Sequence, residues 1–248
     1  MVGSLLLRGM LVGILAGFLA FGFARVFGEP MVDQAIALEE QAAQQAGEPA
    51  EPELVSREVQ ASIGLLAGVV IYGIGTGGLF ALVFAFAHGR VGNLSPRALA
   101  ALLAAAAFVA VYLVPDLKYP ANPPAVGVPE TIGYRTGLYF FMMAFSIAAL
   151  AFAVTLQRSL AVRFGGWNAG ILAGVAFVAV IAAVGALLPD VNEVPSEFPA
   201  VLLWKFRVAS LGIQLVLWTV IGLAFGALAE RVIAGRVGGA DAFRIRSA

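Results

Sequence analysis

Gly73, Gly75 and Gly78, in the stretch GVVIYGIGTGGLF, fit the spacing G-x-G-x-x-G with which a loop can cradle a pyrophosphate. That chemistry needs a strand before the glycines, a helix after them and an acid about 20 residues further on. Here the glycines sit inside an apolar run from Ala61 to Ala87, and no Asp or Glu occurs between Glu58 and Asp116. Dinucleotide binding is excluded. Donors for metal chemistry are few. There is no Cys, so thiolate sites and disulfides are absent. The single His88 stands beside Arg90 at the end of an apolar run, a place for a solvated or snorkelling side chain rather than a ligand. Met142 and Met143 are soft thioethers suited to Cu(I), although core packing explains them more simply. Hard donors occur as carboxylates in Pro-rich segments: Asp116, Glu130, Asp190, Glu193 and Glu197 could gather a divalent cation at the mouth of a bundle. No H-E-x-x-H, no serine-nucleophile motif and no carboxylate within an apolar run is present, so enzyme chemistry has no residues to run on. The basic residues are scattered singly, which argues against nucleic acid.

The elements that must position these residues are helices in lipid. Of 248 residues, 61% are hydrophobic and 12% charged, half the charge of a soluble domain at about 25%. Mean hydropathy is +0.94. The sequence reads as one polytopic domain over residues 1–248, an all-α integral membrane protein. Six segments approach the roughly 20 apolar residues a spanning helix needs: about 5–27, 61–87, 98–114, 136–156, 167–188 and 208–229. The first is read as a retained helix rather than a cleaved signal. Charges keep to loops, tails and helix ends, as expected when a central charge costs about 2.5–3.5 kcal/mol.

Six spans put both termini on one side of the membrane. That side holds nine arginines against Glu230 and Asp241, a net of +7, and the other side holds six basic residues against thirteen acids, a net of −7. The positive-inside rule then places both termini in the cytoplasm, with a long loop 28–60 and two Pro-rich loops outside.

Glycines recur every four residues at Gly9, Gly13 and Gly17, at Gly64 and Gly68, at Gly166, Gly170 and Gly174, and at Gly222 and Gly226. This spacing lets helices pack closely in lipid, and the glycines from 73 to 78 are read as members of the same close-packed set. The chain also repeats itself. LVPD at 113–116 and LLPD at 187–190 each precede a Pro-rich loop and then an Arg that opens the next span, Arg135 and Arg207. FGEP at 27–30 with Arg57 is a looser copy, so three repeated helical hairpins are the arrangement the pattern suggests. Arg in a first helical turn opposes the helix dipole and calls for a partner. Pairing of Arg57 with Glu29, Arg135 with Asp116 and Arg207 with Asp190 is the expectation, with snorkelling to headgroups as its alternative. Polar stripes follow two of these arginines: Arg135, Tyr139, Met142 and Ser146 share one helix face, and Arg207, Ser210, Gln214 and Trp218 share another. Both should face the bundle, as a path or as glue between helices.

The stretch KYPANPPAVGVPETIGYRTGLY, from Lys118 to Tyr139, resembles the CbtA family of probable cobalt transporter subunits, and VPSEFPAVLLWKFRVASLGIQLVLW is similar to that family's last outer loop and span. The resemblance implies a polytopic membrane protein for cobalt uptake in support of cobalamin synthesis, usually described with five spans. It also implies a second, small, single-span protein of the same system as partner, whose His-containing tail would supply ligands missing here. Cobalt would be cargo, and no cofactor is implied. The leading reading is a permease component for divalent cobalt. A non-conducting scaffold that positions a partner protein is its rival, and a homo-oligomer stays open.

Overall fold

A computed structural model describes residues 2–47 and 55–246, with side chains described as far as residue 234. The described residues are helical apart from short turns and two Pro-rich segments, without a strand. Five helices are long and apolar enough to cross a membrane: α1 (Val2–Ala46), α2 (Arg57–Ala87), α3 (Pro96–Lys118), α4 (Ile132–Leu187, after a 3-10 turn Pro129–Thr131) and α5 (Ala200–Arg246, apolar as far as Ala234). The chain is an all-α, multi-pass membrane protein. It forms two compact units, one of residues 1–30, 46–105 and 209–248, the other of residues 31–45 and 106–208.

In the first unit α1 and α2 pack backbone to backbone. A Cβ added at Gly13 would fall on the Gly73 carbonyl, one at Gly9 on the Gly77 carbonyl, and one at Gly17 within 2.8 Å of the Val70 Cα. The pairing runs 9 with 77, 13 with 73 and 17 with 70, so the helices are antiparallel. Two of the glycines between 68 and 80 are therefore half of a close helix crossing, within a continuous α-helix Leu65–Ala87. Gly222 meets the Ala104 Cβ and Gly226 the Ala100 Cβ, bringing α5 onto α3. Phe225 closes this core edge-on to Phe80 and Phe84, at 5.4 and 5.1 Å between ring centres. Ser95 caps α3 by accepting from the Ala98 N–H at 3.2 Å, and Pro96 follows where a missing N–H costs nothing.

The other glycine repeats make no close helix crossing among the described residues. Around Gly68, Gly166, Gly170 and Gly174 a Cβ would meet nothing within 4 Å, and Gly64 approaches only the Val59 carbonyl of its own helix. In the second half of α4 the buried positions are Ala169 and Ala173. Gly166, Gly170 and Gly174 lie off that face and are exposed.

Three segments depart from the sequence reading. Glu29–Ala46, expected as part of a loop over 28–60, continues α1 as a helix. Its Ala, Gln and Glu are strong helix formers. A π-helical turn, Ala24–Gly28, comes just before Pro30 and re-registers the hydrogen-bond ladder that the proline interrupts. Residues 48–54 of that loop lie outside the described residues. The same device recurs in α3, where the π turn Phe108–Leu113 precedes Pro115 and the helix runs on to Lys118 instead of ending at LVPD. The loop expected around QRSLAVRFGG is helical too, and only Gly165 (φ 76°, ψ 159°) leaves helical geometry within α4. Even so, Leu138, Tyr139 and Met142 share one hydrophobic cluster with Phe177, Ile181 and Val184. A straight helix rising 1.5 Å per residue would hold those groups about 50 Å apart. The chain therefore folds back at Gly165, a conformation open to glycine because it lacks a Cβ.

Candidate functional site

The second unit carries a cavity of about 510 Å³ where α3 and the second half of α4 end and α5 begins. Its walls come from the end of α3, the first turns of α4, Arg207 in the third turn of α5, and the Pro-rich segments 119–131 and 188–199. Prolines stiffen these segments, so polar side chains are held at low entropic cost.

Two arginines line it, each anchored to a Pro-rich segment: Arg135 comes from the first turn of α4, but Arg207, expected to open its helix, lies in the third turn of α5 because that helix already starts at Ala200. Arg135 donates from Nη2 to the Val128 carbonyl at 3.3 Å, and its Nε lies 3.3 Å from Glu193 Oε2. Gly127 makes room for this guanidinium: its φ is 112°, and a Cβ there would fall on the Arg135 head. Arg207 donates from Nε to the Ala121 carbonyl at 3.2 Å and from Nη2 to Asn122 Oδ1 at 2.9 Å. Among the described residues no carboxylate lies within ion-pair distance of Arg207.

Two carboxylates complete the polar lining. Glu193 accepts from the Val128 N–H at 2.8 Å and the Thr131 hydroxyl at 2.9 Å. These two bonds, with the Arg135 charge behind them, hold its pKa below the ordinary value. Asp116 accepts from the Ala121 N–H at 3.2 Å and is hydrogen-bonded by Tyr112. With two guanidiniums and two carboxylates, the lining has no net charge.

The expected rim pairs are redistributed. Arg57 does meet Glu29, in the first unit. Arg135 takes Glu193 in place of Asp116, and Arg207 takes Asn122 in place of Asp190, which pairs instead with Lys118. The physical reason is reach. Each Pro-rich segment lies against the other, tied by Tyr119, whose hydroxyl donates to the Pro189 carbonyl at 3.0 Å, so the nearest acceptor for each Arg lies on a turn of this joint structure.

Of the five acids expected at the mouth, Asp116 and Glu193 line the cavity. Asp190 is exposed beside Lys118, Glu130 is exposed in the 3-10 turn, and Glu197 is exposed with the Ser196 hydroxyl 2.7 Å away lowering its pKa. Of the polar stripes, Tyr139 lines the cavity, while Met142 and Ser146 are buried in the unit's interior. Among the described residues Ser146 Oγ has no hydrogen-bond partner. Arg207 joins Arg135 at the cavity, whereas Ser210, Gln214 and Trp218 belong to the first unit, with Gln214 at a smaller cavity of about 360 Å³. His88 stacks on Phe84 at 5.6 Å at the end of α2. Among the described residues no group of three His, Cys, Asp or Glu could hold a metal. Asn122, Thr131, Lys118 and Tyr119 escaped the sequence reading, although all four lie in the Pro-rich stretch that carried the family resemblance. Polarity inside that stretch was the available signal.

A family model described as "Probable cobalt transporter subunit (CbtA)" matches residues 2–230. The chain belongs to that family. The match covers α1 to α4, α5 as far as residue 230 and both Pro-rich segments, and it places the chain among transporter components rather than enzymes. No curated protein and no solved structure matched it.

Proposed function

We propose that this CbtA-family chain is the multi-pass component of a cobalt uptake system in a bacterial inner membrane. In this reading it crosses the membrane six times, α4 contributing two crossings joined at Gly165. Both termini lie in the cytoplasm, and the Pro-rich segments face outward. The observation that carries the proposal is the cavity formed by the family's distinctive stretch, which gathers Asp116, Glu193, Arg135 and Arg207 at one end of the helices. In this topology the outward side as a whole carries a net charge of −7, which raises the local concentration of a divalent cation around the mouth. The chain's own donors bind cobalt weakly, because cobalt(II) prefers imidazole, carboxylate and water in a compact set. A small single-span partner with a His-bearing tail supplies the imidazoles that complete tight coordination.

The test is cobalt accumulation by cells expressing this chain, the partner, both or neither. Accumulation with both, above either alone, is expected. Equal accumulation with both and with neither overturns the proposal. A non-conducting scaffold is the second reading, favoured by the exposed face of Gly166, Gly170 and Gly174, which no described part of the chain covers. It predicts that the chain stabilises the partner in the membrane without raising cobalt accumulation.

A further inference from the structure

We infer that the cavity of the second unit binds a small organic carboxylate that carries its own positive centre, with the carboxylate on Arg207 and the positive centre toward Asp116. This goes beyond cobalt transport and stands whether or not cobalt is the cargo.

Arg207 is part-buried, yet its two anchors, the Ala121 carbonyl and Asn122 Oδ1, are neutral. Guanidinium has five N–H donors in a planar fork, and these two bonds use two of them. The fork matches a carboxylate with two parallel hydrogen bonds, the strongest pairing open to it. Asn122 fixes the head in place, so little freedom is lost when a ligand arrives. Arg135 differs: Glu193 already neutralises it. Among the described residues Arg207 therefore has no carboxylate in direct contact, and Asp116 attracts it only from beyond ion-pair distance.

Asp116 supplies the complement. The Ala121 N–H and Tyr112 hold its carboxylate, and no Lys or Arg lies within ion-pair distance of it among the described residues. Arg207 and Asp116 line one cavity and attract each other from beyond ion-pair distance, and a zwitterion, or a chelated cation with a free carboxylate, can bring a direct partner to each. A bare divalent cation would face two guanidiniums and gain little. Size agrees, since about 510 Å³ is within the range of small-molecule sites, roughly 300–1,000 Å³. Val126, Ile132, Val191 and Val194 give an apolar wall for an organic body.

Two sources share this chemistry, a free amino acid and a carboxylate chelate of a metal ion, and calorimetry on the full chain in lipid nanodiscs separates them. The probes are L-histidine, citrate, the 1:1 cobalt(II)–citrate complex and cobalt(II) chloride. Stoichiometric binding of L-histidine or of cobalt(II)–citrate is expected, tighter than that of cobalt(II) chloride. Arg207→Gln should weaken that binding by about tenfold or more, the value of one charge-assisted bidentate contact, and Arg207→Lys should restore part of it. Asp116→Asn should weaken L-histidine and cobalt(II)–citrate but leave citrate unchanged. On the unaltered chain, excess acetate should displace the bound probe, a result that does not depend on any variant folding. The inference is overturned if no carboxylate probe binds, if cobalt(II) chloride binds tighter than all of them, or if Arg207→Gln leaves the affinities unchanged.

Discussion

Alanine placed at Gly73 and at Gly75 should move stability in opposite directions, though both residues lie in one helix two positions apart. At Gly75 a Cβ would meet nothing within 4 Å, and the residue is exposed. Gly75→Ala therefore gains only helix propensity, up to about 1 kcal/mol. At Gly73 the Cβ would fall on the Gly13 carbonyl, with the Gly17 nitrogen at 3.3 Å. Backbone cannot swing aside as the tip of a side chain can, so α1 and α2 must separate, losing contacts along the whole crossing. Overpacking a close contact costs about 1–3 kcal/mol, and a rigid obstacle puts this site at the upper end. Set against the same propensity gain, Gly73→Ala should destabilise by about 1–2 kcal/mol and differ from Gly75→Ala by roughly 2–3 kcal/mol. Gly13→Ala should behave like Gly73→Ala, and the double variant should cost less than the sum, because once the helices have parted the second methyl finds space. Reversible unfolding in mixed micelles, followed by circular dichroism, measures all four. Equal effects at Gly73 and Gly75, or strict additivity of Gly13 and Gly73, would refute the backbone-to-backbone crossing.

The remaining expectations concern the cavity and the topology. Glu193 has its pKa held below the ordinary 4.5, so it contributes stability that is fully present above that value and is lost as pH falls through the lower folded-state pKa. The melting-temperature difference between the native chain and Glu193→Gln should stay flat from neutral pH down to the ordinary carboxylate range and shrink below it; a difference that grows on acidification contradicts the assigned hydrogen bonds. Gly127→Ala should destabilise by about 1–3 kcal/mol from its positive φ and from displacement of Arg135, and a neutral result in thermal melting would remove Gly127 from the site. Because the chain has no Cys, single cysteines report topology cleanly. Val162→Cys should react with a membrane-impermeant maleimide only from the cytoplasmic side and Glu197→Cys only from outside, whereas an unreactive Cys at 162 would mean that α4 crosses once.

What was legible in the sequence follows from how strongly each physical rule constrains it. Lipid forbids unpaired backbone, so long charge-free runs had to be helices, and they are. Spacing at Gly9, Gly13 and Gly17 marked a close crossing, but the same spacing at Gly166, Gly170 and Gly174 lies on an exposed face. Small residues permit approach without requiring it, and the inward face there is set by Ala169 and Ala173. The run from 73 to 78 was legible as part of the same close-packed set, and Gly73 and Gly77 are the members that meet Gly13 and Gly9, while Gly75 faces outward. Pro30 and Pro115 read as helix ends, since the π turns that carry the helix past them have no signature in residue type. At the cavity, counting charges found Asp116 and Glu193 but passed over Asn122, because a neutral amide carries no weight in a charge argument. Choosing Asp190 for Arg207 assumed that repeated segments pair with their own equivalents.

That assumption fails for a reason that explains the cavity itself. If each arginine had paired within its own repeat, the two Pro-rich segments would form independent rims with separate contacts. Instead Arg207, which follows the second segment, holds the turn at Ala121 and Asn122 in the first. Glu193, in the second, holds Val128, Thr131 and Arg135, which belong to the first and to the helix after it. Lys118 with Asp190 and Tyr119 with Pro189 cross between segments in the same way. Each segment thus supplies acceptors for the other's donors, and the space they enclose exists only when both are assembled. The first copy of the repeat makes the contrast plain. Glu29 and Arg57 satisfy one another in the first unit. That pair is in direct contact, whereas the exchange in the second unit leaves Arg207 on neutral anchors, with Asp116 attracting it from beyond ion-pair distance and room in the cavity for a ligand's carboxylate to make the direct contact.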